Sequence, residues 1–553
     1  MKKSNTIITN HSKSEDQMDQ RMPKGSKGIE ESKSFGDGTQ EGSITRRQFV
    51  VGAGTALAGG AIGIVGGSLL PSGDVAIAGT TKKWNKETDV IVVGGGAAGI
   101  FGALSASEAG DQVLLLEKEP IPYLSSSAIC GGSVAAARTS VQKEAGIEDR
   151  PGLFYKDIME EGEYTNDKNL VKVFTENSWK TIEWFRKKGL KFVLRAYPGF
   201  SLDRLHYAGT GRQFVDILLK EIKAKNVPIY YETPAKRIVI EYSTGRVLGI
   251  EAEKAGKKIL IKARKAVLIT TGGFGGNKDM IDRFLIPFKG AIVGSSPGAT
   301  GTGLLMGMKA TGSVTHLSYG AVYAYGFVTK PDTRRGLMHR GYDLASVFGG
   351  ILINKNGKRF VKEETSPTSV AWALTSQPEH TVYVISDRVM WEEFMARPVF
   401  PVIGWTKEQV LEEAEKEKYF INKADTLEEL ARKAGLNQKD LKKTISNYNS
   451  YVAKGHDPEF GRDKKHLRKK IVAPPFYSLK GLPIVMVTCG GLKVNERLQV
   501  LDPYLVPIPG LYAAGEVVGG LHGTRYIGGD GFAAALCLGR IAGKNAASEK
   551  SEA

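Results

Sequence analysis

The chain has 553 residues, of which 41% are hydrophobic and 24% charged, with a formal net charge of +17. A hydrophobic fraction of this size supplies a core for about two to four domains, and the scattered lysines, not interleaved with aromatic residues, argue against a nucleic-acid partner. The three cysteines, Cys130, Cys489 and Cys537, are too few and too far apart for a disulfide framework or an iron–sulfur cluster, and no Cys-x-x-Cys-His run is present to attach haem.

In chain order, residues 1–45 are polar and aperiodic, the composition of a disordered segment. Residues 46–78 read as a signal peptide. Arg46-Arg47-Gln48-Phe49 is a positive start, Val51 to Leu70 a mildly apolar Gly/Ala-rich run, and Ala76-Ile77-Ala78 a small-residue cleavage site. The arginine pair resembles a twin-arginine signal, which implies export of a prefolded protein to the periplasm or the outer face of the cytoplasmic membrane. Uncleaved, the same run would serve as an anchor.

The segment 84–317 alternates short apolar strands with helices. It opens with Asp89-Val-Ile-Val-Val-Gly94-Gly95-Gly96-Ala97-Ala98-Gly99, a strand running through Gly-x-Gly-x-x-Gly into a helix. Gly94 serves the turn, Gly96 lets the backbone approach a pyrophosphate, and Gly99 lets helix and strand pack closely. Glu117, closing the apolar run Val113 to Leu116, falls where an acid bonds ribose hydroxyls. The stripe Trp179, Trp184, Phe185 is at helical spacing and reads as core packing.

From 318 to 487 the composition shifts to more aromatics, prolines and charged helices, near Leu411–Lys418 and Lys439–Ala453, which reads as an inserted domain. The segment 488–547 then returns to the first domain through Gly515-Glu516 and Gly528-Gly529-Asp530-Gly531, which precede a small-residue helix. Such a split site points to a flavin protein. The fold class expected is α/β: a Rossmann-like FAD-binding domain carrying an inserted α+β capping domain.

The motifs Glu117-Lys118-Glu119-Pro120, Ser125 to Gly132, Asn356 to Glu363, and Pro509 to Gly523 make the mature chain resemble the fumarate reductase and 3-ketosteroid dehydrogenase superfamily of flavoproteins. The resemblance implies non-covalent FAD contacted by Ala98, Glu117, Ser125, Ser126, Gly131, Gly132, Glu516, Gly531 and Phe532. It also implies hydride exchange between the flavin and one carbon of a C–C bond beside an electron-withdrawing group, with a proton moving at the neighbouring carbon.

At the dicarboxylate-binding positions of fumarate reductases this chain departs from the family. By the surrounding motifs, histidine and arginine positions fall on Tyr323, Met486 and Tyr526, and the proton-donating arginine falls near Trp391, with Arg388 the nearby substitute. A dicarboxylate without fixed cations would be costly to bury. The resemblance therefore implies reduction of a larger unsaturated substrate, an enone or an aromatic acrylate; the alternatives are the reverse reaction, as in a 3-ketosteroid-type dehydrogenase, and a true fumarate reductase. Tyr526 would polarise the substrate's carbonyl, and Tyr323 or Arg388 would exchange the proton. Arg525 would meet a single carboxylate, with Met486, Gly131 and Gly529 completing the substrate contacts. His339 and His522 are further candidates. Without its own haem, the chain would need a separate electron donor, such as a cytochrome c or a quinol-linked membrane protein.

Overall fold

The computed structural model describes residues 83–551, except 198, 331–332 and 398–400. The signal-peptide and disorder expectations for 1–45 and 46–78 thus lie outside the described residues. Among the described residues no helix is long and apolar enough to cross a membrane.

The elements that build the site are, in chain order, β1 (Lys86–Val93), α1 (Ala97–Glu108), β2 (Val113–Leu116), α2 (Ser126–Ile129), α3 (Pro151–Glu161) and β3 (Lys257–Ile269). They continue with β4 (Gly320–Lys330), α4 (Gly341–Ser346), α5 (Pro367–Leu374), α6 (Arg388–Ala396), β5 (Phe476–Thr488), β6 (Pro507–Ala513) and α7 (Asp530–Ala547).

Val90 to Val93 and Val113 to Leu116 are apolar on both faces and buried, as parallel strands covered on both sides must be. The first sheet has the order β6-β3-β1-β2-(Ile229–Tyr230), all parallel, with Gln499–Leu501 added at the outer edge of β6. The last β-strand of the chain, β6, therefore lies beside β3, one strand in from the edge of the sheet, and α7 packs on α1. Small residues allow that approach: a Cβ on Gly539 would sit 2.4 Å from the Ala98 carbonyl oxygen, and one on Gly543 2.0 Å from that of Gly102. Of the aromatic stripe, Phe185 and Trp184 pack in the core, with Phe101 and Trp184 ring centroids 4.7 Å apart, whereas Trp179 lies at the surface under Arg138 and Lys180.

The second sheet is built on the antiparallel pair β4–β5 and includes Val382–Ser386, Ile351–Ile353, Ile421–Ala424 and Arg335–Met338. It also takes in Ile292–Val293, before the boundary expected at 318, because that short strand pairs in parallel with Ile484 and Val485 of β5. The charged helices run Lys407–Lys416, Leu427–Ala434 and Gln438–Lys454. Buried ion pairs hold this part together. Arg359, wholly buried, bonds Glu363 at 2.7 Å and Asp457 at 2.9 Å, and Arg462 bonds Glu364 at 2.7 Å.

Candidate active site

A cleft of about 320 Å³ runs along the carboxyl ends of the parallel strands. At one end lie the Gly94 turn, Glu117, Lys118, Ser125 to Ser127 and Lys236; at the other lie Val487, Thr488, Glu516, His522, Tyr526, Gly531 and Phe532.

Local chemistry explains the first end. Gly94 has φ +110°, open to glycine at little cost, and a Cβ there would meet the Thr270 carbonyl oxygen at 2.6 Å. Gly99 lies under the turn, without room for a Cβ beside the Gly94 carbonyl. Gly96 caps α1 with no side chain to satisfy the helix N–H groups, so the helix end faces the cleft. The Glu117 carboxylate accepts from the N–H groups of Gly95 at 2.5 Å and Glu119 at 2.8 Å, which sets it beside the turn. Ser125 caps α2, and Ser127 Oγ accepts from the Ala97 N–H at 3.0 Å. Gly132, with φ +69°, turns the chain after α2.

The other end is dominated by phenols. Tyr526 is 9% exposed, and its oxygen accepts from the Gly531 N–H at 3.1 Å. That N–H belongs to the first turn of α7, so the positive helix end polarises the phenol. The Tyr526 O–H remains free to donate into the cleft. Tyr323 packs against Tyr526, Cys489 and Ala321. Tyr197, in the loop that follows the strand Val193–Arg195, faces Tyr323 within hydrogen-bonding reach and covers Gly528. Both rings keep an exposed edge while their hydroxyls are enclosed, and burial drives both phenols far above the usual tyrosine range. They are protonated donors.

His522 lines the cleft with its ring centroid 4.8 Å from that of Tyr526 and its Nδ1 unpartnered. Burial lowers it to about 4, so it is neutral at physiological pH. Glu516 accepts from Thr488 N–H at 2.9 Å and Thr488 Oγ at 3.1 Å, and burial raises its carboxyl. Among the described residues lining the cleft, the cations are Lys118 and Lys236, both at the first end. No group of three metal-ligating side chains occurs among the described residues.

Residues 89–532 match the family model of an FAD binding domain. A probable fumarate reductase of Shewanella frigidimarina (strain NCIMB 400) is 32% identical, over 84% of this chain and 75% of its own length. The chain belongs to this FAD binding domain family and to the fumarate reductase family of FAD-dependent enzymes. A urocanate reductase of Eggerthella lenta is 31% identical, over 83% of this chain and 75% of its own length. The 3-ketosteroid-Δ4-(5α)-dehydrogenase of Rhodococcus jostii RHA1, solved with 4-androstene-3,17-dione, shares the fold at TM-score 0.71 and 24% identity, over 85% of this chain and 99% of its own. The chain is thus an FAD-dependent oxidoreductase of the class acting on C=C bonds.

The residues fit that cofactor. Uncapped N–H groups of α1 suit a pyrophosphate, Glu117 a ribose, and an added Cβ at Gly131 or Gly272 would meet nothing within 4 Å, leaving room for a ligand. Of the expected FAD contacts, Gly94, Gly96, Ala98, Glu117, Ser125, Ser126, Glu516, Gly531 and Phe532 line the cleft. Gly529 caps α7 one step behind it, its carbonyl accepting from the Ala135 N–H at 3.4 Å.

Gly99, Gly131, Gly132 and Tyr323 are not among the cleft-lining residues, and four further expected residues stand elsewhere. Met486 does not line the cleft; Val487 does. Residues alternate across a strand, so a one-residue slip along β5 turns Met486 to the far face, where its sulfur would lie 2.6 Å from a Cβ on Gly294. Arg388 begins α6 on the outer surface of the cap, 46% exposed, paired with Glu392 at 3.2 Å, and Trp391 beside it is buried against Tyr477. Arg525 is not a spare cation, because it pairs with Glu163 at 2.7 Å. His339 is a packing residue, its Nδ1 accepting from Gly341 N–H and its Nε2 3.1 Å from the Lys480 carbonyl oxygen. Sequence reasoning missed Tyr197. Its neighbours in sequence carry no motif, and only the fold brings that loop to Tyr323.

Proposed function

We propose that this protein reduces the C=C bond of an enone or a bulky aromatic α,β-unsaturated acid. The carrying observation is the Tyr526 phenol, which lines the end of the FAD cleft that has no lining arginine or lysine, with the protonated phenols Tyr323 and Tyr197 packed next to it. FAD, when bound and reduced, supplies the hydride. Tyr526 donates its O–H to the substrate carbonyl oxygen, where negative charge develops, backed by the Gly531 N–H. Tyr323, hydrogen-bonded to Tyr197, delivers a proton to the adjacent carbon. A dicarboxylate would meet no lining cation at this end.

The urocanate reductase relative supports an aromatic unsaturated acid, and the ketosteroid dehydrogenase fold supports a ring-bearing enone. Dehydrogenation by the same residues is the second reading. It requires a tyrosinate base, and the enclosed phenols oppose that ionisation. Export by the twin-arginine route and electron supply from a separate cytochrome or quinol-linked protein complete the reading. The test is anaerobic reoxidation of the reduced flavin by a panel of fumarate, urocanate, cinnamate and 4-androstene-3,17-dione. Reoxidation by a bulky member and not by fumarate is expected; rapid reoxidation by fumarate overturns it.

A further inference from the structure

Between α3 and the helix Lys168–Lys187 the chain makes a short turn, 162–167, which lies against the loop 520–525 that leads into Tyr526. The two segments are joined along their length. The Asp167 N–H donates to the Gly520 carbonyl oxygen at 2.8 Å, and Asn166 Nδ2 donates to that of Leu521 at 2.8 Å. The Gly162 carbonyl oxygen accepts from the Thr524 N–H at 3.4 Å. Glu163 uses both carboxylate oxygens: one accepts from Thr524 Oγ1 at 2.8 Å, and the other pairs with Arg525 at 2.7 Å. His522 and Tyr526, both lining the cleft, are carried by the segment held in this way.

The turn is kept at a conformational cost. Glu163 and Tyr164 have φ +53° and +57°, the left-handed region that glycine enters freely and other residues seldom do. Gly162, beside them, has φ −74° and does not use that freedom. The chain thus places a carboxylate where the backbone favours glycine, and that carboxylate meets Thr524 and Arg525.

Glu163 and Arg525 are partly exposed, so their ion pair alone contributes little. Asn166 is 7% exposed, and its amide sits between the two segments. An added Cβ on Gly162 would meet Asn166 Oδ1 at 2.2 Å, and one on Gly523 would meet it at 2.8 Å. Besides Leu521, its Nδ2 faces the Ile158 carbonyl oxygen at 3.4 Å. Both neighbours of that nitrogen are acceptors, which fixes the orientation of the amide.

We propose that Asn166 is a positioning residue for the reduction: it holds the loop 520–525, and through it Tyr526 and His522, at the substrate end of the cleft, with Glu163 as a second tether. The inference rests on the proposed role of Tyr526 as donor to the substrate carbonyl. On its other side the Tyr526 oxygen is held by the Gly531 N–H of α7. Freeing the loop leaves that hydrogen bond as the remaining hold on the phenol, and a group misplaced by about 1 Å can lose about 100-fold in rate.

The experiment uses the FAD-loaded protein with Asn166→Asp, Asn166→Leu and Glu163→Gln, with rates taken per bound flavin and against the unaltered protein at each pH. A protonated acid at position 166 can donate to the Leu521 carbonyl, whereas its carboxylate cannot and would face two carbonyl oxygens. With 4-androstene-3,17-dione as oxidant, Asn166→Asp should reoxidise within about threefold of the unaltered rate at low pH and slow by up to about 100-fold as pH rises. Asn166→Leu, which donates at no pH, should be slow throughout. Glu163→Gln keeps an acceptor for one of its two partners and should slow the step by about two- to fivefold, the size of an exposed ion pair. Hydrogen–deuterium exchange reads the loop without substrate: peptides covering 518–532 should exchange faster in Asn166→Leu, and in Asn166→Asp at high pH only. A residue that merely stabilised the fold would give Asn166→Asp the same slowing at every pH, and that result overturns the inference. Unaltered exchange of the loop, or unaltered rates beside a freed loop, overturns it as well. An unaltered protein that no member of the panel reoxidises overturns the proposed function instead, and exchange then decides whether Asn166 holds the loop.

Discussion

Replacing Tyr526 with Phe removes one hydroxyl and leaves the ring. The oxygen has two neighbours to lose: the Gly531 N–H at 3.1 Å and the substrate oxygen it faces. Loss of one preorganised donor to a developing oxyanion costs about 100- to 1,000-fold in rate, or about 2.7–4 kcal/mol. Losing the part-buried Gly531 N–H bond at the start of α7 costs about 0.5–1.5 kcal/mol of stability. The two effects separate experimentally. Stopped-flow reoxidation of the reduced flavin by 4-androstene-3,17-dione or cinnamate should slow by that factor, while FAD content stays full and Tm falls by a few degrees. A Tyr526→Phe protein with full FAD that reoxidises within about threefold of the unaltered rate, less than 1 kcal/mol, refutes the polarising role.

Val487→Trp should block a bulky substrate while Met486→Ala leaves reoxidation rates unchanged, since only Val487 lines the cleft; equal effects in the same assay would contradict the strand register. Gly94→Ala should lower FAD content and Tm, costing about 1–3 kcal/mol of strain at φ +110°, as flavin absorbance and calorimetry would show. Arg359→Met leaves Glu363 and Asp457 as uncompensated buried carboxylates and should destabilise the cap by about 3–5 kcal/mol in denaturant titration. Buried His206 and His522 are lowered from 6.5 to about 4 and His339 to about 3, so the unfolded chain binds more protons across that window. Stability should therefore be complete above pH 6.5 and fall as pH drops toward 4. A Tm that rises on acidification through that window would reverse the sign.

The cofactor half was legible from residue order because its determinants are local. A turn needing φ +110° at Gly94, a helix start without a capping side chain at Gly96, and an acid ending the next strand at Glu117 lie within one βαβ unit. Spacing along the chain is spacing in space there. The return of Glu516 and α7 was also legible, since its small residues answer those of α1. The substrate end is different. Tyr526, Tyr323 and Tyr197 come from three distant segments, and their convergence depends on the register of β4 and β5, the cap sheet and an irregular loop. A strand alternates with period two, so motif counting that is one residue out selects Met486 instead of Val487. Helix phase and surface pairing likewise took Arg388 to Glu392 and Arg525 to Glu163. Sequence by itself determined which cofactor this chain holds and the strand, turn and helix that cradle it. Tertiary structure alone decided which side chains meet the substrate, and which buried amide holds their loop, because those contacts are set by long-range packing.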